Sequence, residues 1–325
     1  MTTPLLRLRH LTKHFREAGT LLRREAAPVK AIDGVSLDIG RGEIFALVGE
    51  SGCGKSTLGR LVLRLLEPTT GEMVFDGQTI DLASSVPADY RKTVQIVFQD
   101  SRASLNPRRT VYQILRDPML LHGVATPKTA RAAAAALLER VGLAPAERFL
   151  DRYPRQFSGG QLQRIGIARA LSLKPKLIVA DEPVSALDAL VRAQILDLIM
   201  SLRKEDRLAI LFITHDLAVV RAIADRVAVM YLGRIVESGP VDAIFAKASH
   251  PYTRALLSAT PIPDPRRAAS RQRIEVRGEV PDPGALPSGC RFHPRCPSAL
   301  PICSTVDPSM TELTAEVQVA CHLYD

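Results

Sequence analysis

The chain has 325 residues, 46% of them apolar, which is enough for one large domain or two smaller ones and excludes a disordered chain. No apolar run reaches the ~18 residues that cross a bilayer. The first ten residues carry Arg7 and Arg9 among their leucines and show no secretory leader, so a cytosolic location is expected. The formal charge of +9 permits a polyanionic partner. The arginines are scattered, however, and no tryptophan or aromatic-interleaved basic motif accompanies them, so nucleic acid is a weak candidate.

Taken in order, Leu5 to Leu11 alternates weakly and reads as an edge strand, and residues 16 to 30 read as a polar loop. Val35, Leu37 and Ile39 alternate with polar residues as a strand with one buried face. Glu43 to Val48 is a short apolar strand, and it runs into Gly49-Glu50-Ser51-Gly52-Cys53-Gly54-Lys55-Ser56-Thr57. That stretch fits G-x-x-x-x-G-K-[ST], and the helical period of Leu58, Leu61, Val62, Leu65 and Leu66 follows it. Gly49, Gly52 and Gly54 free backbone N–H groups, among them that of Ser51, to face phosphate oxygens. The helix start at Ser56-Thr57 adds its dipole. Lys55 can reach the β- and γ-phosphates and the Ser56 hydroxyl can ligate Mg²⁺.

Downstream, Gly71 to Ile80 reads as a hairpin turning at Asp76-Gly77, and beside the P-loop strand it predicts a mixed sheet. Thr93 to Phe98 is a strand ending at Gln99, and residues 110 to 153 are mostly helical. Phe157-Ser158-Gly159-Gly160-Gln161 opens a helix with Ser158 as its N-cap, which makes a second phosphate-binding helix start. Leu177 to Ala180 is a strand delivering Asp181-Glu182-Pro183. Asp181 would emerge at the sheet edge to hold Mg²⁺ with Ser56, and Glu182 would orient the attacking water. Ser185-Ala186-Leu187-Asp188 precedes a helix, and Leu208 to Thr214 is a buried strand delivering His215. Val227 to Tyr231 and Arg234 to Glu237 pair across Leu232-Gly233.

Beyond about residue 258 ten prolines punctuate the chain and exclude long helices, which marks 259–325 as a separate, loop-rich extension. It holds Cys290, Cys296, Cys303 and Cys321, while Cys53 lies in the P-loop and is a poor ligand candidate. A cytosolic chain argues against disulfides. The spacings match neither zinc knuckles nor common ferredoxin runs, which leaves a Cys₄ site with its metal open.

The ordered set of P-loop, Gln99, FSGGQ, LIVADEP, SALD and His215 resembles the ATP-binding cassette of ABC transporters over residues 5 to 258. The resemblance implies an α/β P-loop NTPase with a mixed core sheet, an antiparallel β-subdomain and a helical subdomain at about 100–172. It implies that Phe15 stacks on adenine, that Gln99 touches the Mg²⁺ and the water and reports nucleotide state to membrane subunits, and that Glu182 and His215 are catalytic. It further implies that Ser158, Gly160 and Asp188 act on nucleotide shared with a partner cassette, two ATP molecules being sandwiched head to tail.

Three more stretches are similar to the dipeptide/oligopeptide (and related nickel) uptake branch: Phe98-Gln99-Asp100 with residues 104–108, His250 to Leu256, and the terminal cysteine region. That likeness implies a peripheral motor at the cytoplasmic face of the membrane, working with a second cassette, two permease subunits and a substrate-binding protein. It also tips the Cys₄ site towards a [4Fe–4S] cluster, with Zn²⁺ as the alternative. A rival reading is a soluble ABC ATPase acting on nucleic acid, although no second cassette or coiled-coil insertion supports it.

Overall fold

A computed structural model describes residues 3–15, 28–82, 84–260, 274–276 and 278–325. At its centre lies strand β3 (Ile44–Val48), all five residues of which are buried. It runs parallel to β8 (Ala209–Thr214) on one side and β9 (Arg226–Tyr231) on the other. Strands β7 (Leu177–Asp181) and β6 (Val94–Val97) continue the parallel array beyond β8. These strands are covered on both faces, which is why they read as unbroken apolar runs instead of alternating ones. The sheet turns antiparallel past β9, through β10 (Arg234–Pro240) and two short strands from the C-terminal stretch, β12 (Gln318–Val319) and β11 (Thr311–Glu312).

The mixed sheet therefore exists, but the hairpin is not what makes it mixed. Its strands β4 (Thr70–Phe75) and β5 (Gln78–Thr79) join β1 (Leu6–Phe15) and β2 (Val29–Ile39) in a second, wholly antiparallel sheet of order β2-β1-β4-β5. Strand β1 is internal to that sheet and not an edge, because it pairs with β2 on one side and β4 on the other, with Leu6, Leu8 and Leu11 buried. The loop expected over 16–30 ends earlier than read, since Val29 and Lys30 already belong to β2. Residues 16–27 lie outside the described ones.

Helix α1 (Lys55–Val62) packs against the core sheet, burying Leu58, Leu61 and Val62. Between β6 and β7 the chain leaves the sheet as a helical lobe. It comprises α3 (Ser101–Ser104), α4 (Val111–Leu121), α5 (Ala130–Arg140), α6 (Glu147–Leu150) and α7 (Gly159–Leu171), with α2 (Ala88–Thr93) just before β6. Val111, Leu115, Leu138, Leu162 and Ile165 form one apolar cluster at its centre. Helices α8 (Ala189–Asp206), α9 (Leu217–Ile223), α10 (Val241–Ala246) and α11 (Pro251–Ala259) complete the cassette.

The C-terminal stretch, expected as a separate region, is docked on the cassette. Among its described residues the helices are short 3₁₀ turns, as its prolines require. Phe292 is fully buried between Tyr231 and Tyr252, with both ring centroids 5.3 Å away. Edge-on aromatic packing of this kind adds about 0.5–1.5 kcal/mol per pair beyond area burial. No helix among the described residues is long and apolar enough to cross a membrane.

Candidate functional site

Strand β3 ends at Val48 and helix α1 starts at Lys55, and the loop between them needs its glycines. Gly54 caps the helix at φ 110°, and a Cβ there would run into the carbonyl oxygen of Ala31. A Cβ on Gly49 would meet the carbonyl oxygen of Met230. The chain folds over itself this tightly only where no side chain intervenes. The Lys55 ammonium is buried and donates to the carbonyl oxygens of Gly49 (2.7 Å) and Glu50 (2.9 Å), so it lies along the loop it serves.

Three further strands deliver polar residues to the same place from their C-terminal ends, where ligands of parallel sheets bind. Asp181, the last residue of β7, accepts a hydrogen bond from the Ser56 hydroxyl at 3.1 Å. Burial pushes its carboxyl above the usual aspartate range, and the Ser56 hydroxyl partly opposes this. Glu182 follows at φ 47°, a left-handed conformation that costs a non-glycine residue about 1–2 kcal/mol. Backbone strain of this kind gathers at functional sites. One carboxylate oxygen of Glu182 lies 3.0 Å from Nδ1 of His215, just past β8, and the other accepts from the Gln99 side-chain amide at 3.5 Å. Ser51, Gly52, Gly54, Lys55, Ser56, Thr57, Gln99, Glu182 and His215 line one cavity of about 580 Å³.

Phe15 is not in that lining. It ends β1 at 41% exposure, with the Lys13 ammonium over its ring at 5.2 Å. Its register partner is Val29, two residues before Ala31 on the cavity wall.

Ser158, Gly160 and Asp188 are also absent from this lining. Ser158 caps α7 through a reciprocal box: its hydroxyl accepts from the Gln161 N–H, and its own N–H donates to the Gln161 side chain at 3.1 Å. That box gives Gln161, which had no assigned role, a physical reason. Gly160 has no room for a side chain, because a Cβ would strike Val191 of α8. Asp188 caps α8 through the Val191 N–H at 3.0 Å. Ser158, Gly159 and Asp188 are all exposed, so two neighbouring helix starts face outward together.

A wider cavity of about 980 Å³ lies at the opposite ends of the strands, lined by Lys174, Lys176, Arg203 and Lys204 among others. Arg203 and Lys204 sit in the last turn of α8, where they offset the helix dipole, and Lys176 pairs with Asp76. The chemistry-bearing residues are in the smaller cavity.

The Cys₄ metal centre expected at Cys290, Cys296, Cys303 and Cys321 is not assembled. Among the described residues no three or more His, Cys, Asp or Glu side chains are grouped so as to hold a metal ion, and all four cysteines are free. They are neighbours, since the Cys290 N–H donates to the Cys303 carbonyl at 2.8 Å. Burial raises the Cys290 thiol to about 11, with the other three adding to the shift, and it raises Cys296 and Cys321 as well.

A P-loop whose strand neighbours end in Asp-Glu and His, carrying an inserted helical lobe, defines a P-loop ATPase cassette. Comparison with known proteins carries this further. A family model described as "ABC transporter" matches residues 32–185, and one described as "Oligopeptide/dipeptide transporter, C-terminal region" matches 236–303. The oligopeptide transport ATP-binding protein AppF of Bacillus subtilis is 48% identical over 322 residues, covering 98% of this chain and 97% of that protein. The probable peptide ABC transporter ATP-binding protein y4tS of Sinorhizobium fredii is 48% identical over 324 residues, covering 99% and 91%. The dimeric cassette MJ0796 bound to ADP and Pi superposes with a TM-score of 0.62 at 30% identity, over 73% of this chain and 98% of that one. Cassette cbiO1 of Clostridium perfringens gives 0.65 at 29%, over 76% and 92%.

The chain belongs to the ATP-binding proteins of ABC transporters and is an ATP hydrolase. Within them it belongs to the oligopeptide/dipeptide branch, which the match of its C-terminal stretch marks.

Proposed function

We propose that this chain is the motor of a peptide importer, drawing ATP energy to move peptides through separate permease subunits. The convergence of Ser56, Gln99, Glu182 and His215 on the P-loop cavity, with Asp181 bonded to Ser56, carries the motor half of this reading. Full-length likeness to proteins named for oligopeptide and peptide transport supports the cargo half.

In this reading residues 49–57 cradle the phosphates. The residues present suit Mg²⁺, a hard cation that takes oxygen donors: the Asp181 carboxylate, the Ser56 hydroxyl and the Gln99 side-chain amide would hold it. When bound, it would supply positive charge to offset that of the phosphates. Glu182, fixed by His215 and Gln99, holds the attacking water and takes up its proton. Ser158, Gly160 and Asp188 face a second cassette, which we infer to be a paralogue, and complete that cassette's nucleotide site. Residues 1–258 form the ATP-binding domain and 259–325 its extension. The assembly sits on the cytoplasmic face of the membrane and is fed by a substrate-binding protein. Phe15 is the candidate to stack on adenine.

The four tail cysteines are read by metal analysis after anaerobic purification. Four irons per chain and a brown colour assign a [4Fe–4S] cluster, stoichiometric zinc assigns a zinc site, and neither leaves thiols.

Reconstitution tests the whole. Vesicles holding the permeases and both cassettes should accumulate a labelled peptide only with ATP and the binding protein present. ATP-dependent uptake of nickel complexes but not of peptides would contradict the cargo. Co-purification with nucleic acid instead of permeases would contradict the importer reading.

A further inference from the structure

Glu50 occupies the second position of the P-loop, where the sequence pattern allows any residue. Two groups from the far end of the chain hold it. The Tyr252 hydroxyl, in the first turn of α11, accepts a hydrogen bond from the Glu50 N–H at 2.9 Å. The Arg295 guanidinium, in the docked C-terminal stretch, grips both carboxylate oxygens of Glu50 at 2.9 and 3.3 Å. Arg295 is itself fixed. It donates to the Tyr231 hydroxyl at 3.3 Å, lies over that ring at 5.9 Å, and its side chain is only 9% exposed. Phe292, three residues earlier, is wedged between Tyr231 and Tyr252 and locks the turn that carries Arg295. On its other side Glu50 offers its carbonyl oxygen to the Lys55 ammonium. The chain of contacts thus runs without a gap from the C-terminal extension through Glu50 to the lysine that meets the phosphates.

We propose that Arg295 is a positioning residue for nucleotide binding: the C-terminal extension clamps the P-loop through Glu50. The inference rests on the reading of residues 49–57 as the phosphate cradle. One effect follows from the geometry. The fork holds residue 50 in one place, so less loop freedom is lost when ATP binds. The extension then acts on the motor directly, whatever else it binds.

The test is equilibrium binding of Mg-ATP to the purified full-length chain by titration calorimetry, with the melting temperature of each variant taken without nucleotide. Arg295→Gln should weaken ATP binding about tenfold, the size expected for losing a charge-assisted pair. Arg295→Lys keeps the charge but not the fork and should fall between. Glu50→Gln breaks the same fork from its other side and should weaken binding by a similar factor, and Glu50→Gln/Arg295→Gln should bind no more weakly than either single variant, within about threefold.

Native affinity in Arg295→Gln overturns the proposal. So does a double variant whose loss is the product of the two single losses, since one shared contact is broken only once, and so does a loss that merely follows melting temperature. If Arg295→Gln does not fold, Tyr252→Phe removes only the hydroxyl and should weaken ATP binding by about threefold; unchanged binding there overturns the clamp. Lys55→Ala separates the two levels. Retained ATP affinity in that variant refutes the cradle reading itself, while lost affinity beside a native Arg295→Gln refutes the clamp alone.

Discussion

At position 182 a glutamate is held at φ 47°, with His215 Nδ1 3.0 Å from one carboxylate oxygen and the Gln99 amide at the other. Geometry so constrained serves a group that must present one oxygen in one direction. Replacing Glu182 by Gln keeps the shape and removes the base. ATP affinity should change little, while phosphate release at saturating Mg-ATP falls by about 10²–10⁴-fold. Turnover near the native rate would take Glu182 out of its role. These residues were legible in the sequence because each belongs to a short local pattern with a strand or helix on its flank. Phe15 was legible only as a possibility, and it stands exposed at the end of β1, outside the cavity lining. The Arg295–Glu50 pair was not legible at all: it joins residues 245 apart, and no local periodicity encodes which arginine meets which glutamate.

Among the elements, α11 shows how a motif noticed in the sequence acquires a reason. His250 caps it, its ring Nδ1 accepting from the Tyr252 N–H at 3.1 Å, and Pro251 occupies the first helical position, where a missing N–H does no harm. The cap is buried. Its pKa is therefore pushed down to about 3, by desolvation first and by the Arg254 charge second. The unfolded chain binds this proton near the ordinary value, about 6.5, and the folded chain does not. Stability contributed by neutral His250 is thus complete above that value and is lost as pH falls from there towards 3, by up to about 5 kcal/mol. Glu237 accepts from the His250 N–H at 3.2 Å, and burial raises its carboxyl, so it acts in the opposite sense on acidification. Urea midpoints measured from pH 7 to 4.5 should fall less steeply in His250→Asn, which still caps the helix but does not titrate. Identical slopes would mean that His250 is protonated in the folded state. The strands were read from the sequence more securely than their partners. The 71–80 hairpin is real, yet which sheet it joins depends on pairing with Leu6 to Thr12, a contact that periodicity does not specify.

At the scale of the molecule, the surprise is that the proline- and cysteine-rich stretch is part of the cassette's own core. Strand β12 extends the main sheet beside β10, and Phe292 belongs to the same apolar cluster as Val229 and Tyr231. Composition marked this stretch as different and could not show it docked, because its strands are two residues long and its buried aromatic is isolated in sequence. In the proposed function, the P-loop cavity and the outward-facing starts of α7 and α8 would be two halves of a nucleotide site shared between two cassettes.

Sedimentation of the Glu182→Gln protein, alone and mixed with the other cassette of its transporter, tests that division most directly. Mg-ATP should convert single chains into a two-cassette species in at least one of the mixtures. Ser158→Arg should abolish that species while the chain still binds ATP. Chains that remain single in both mixtures with ATP bound would contradict the account.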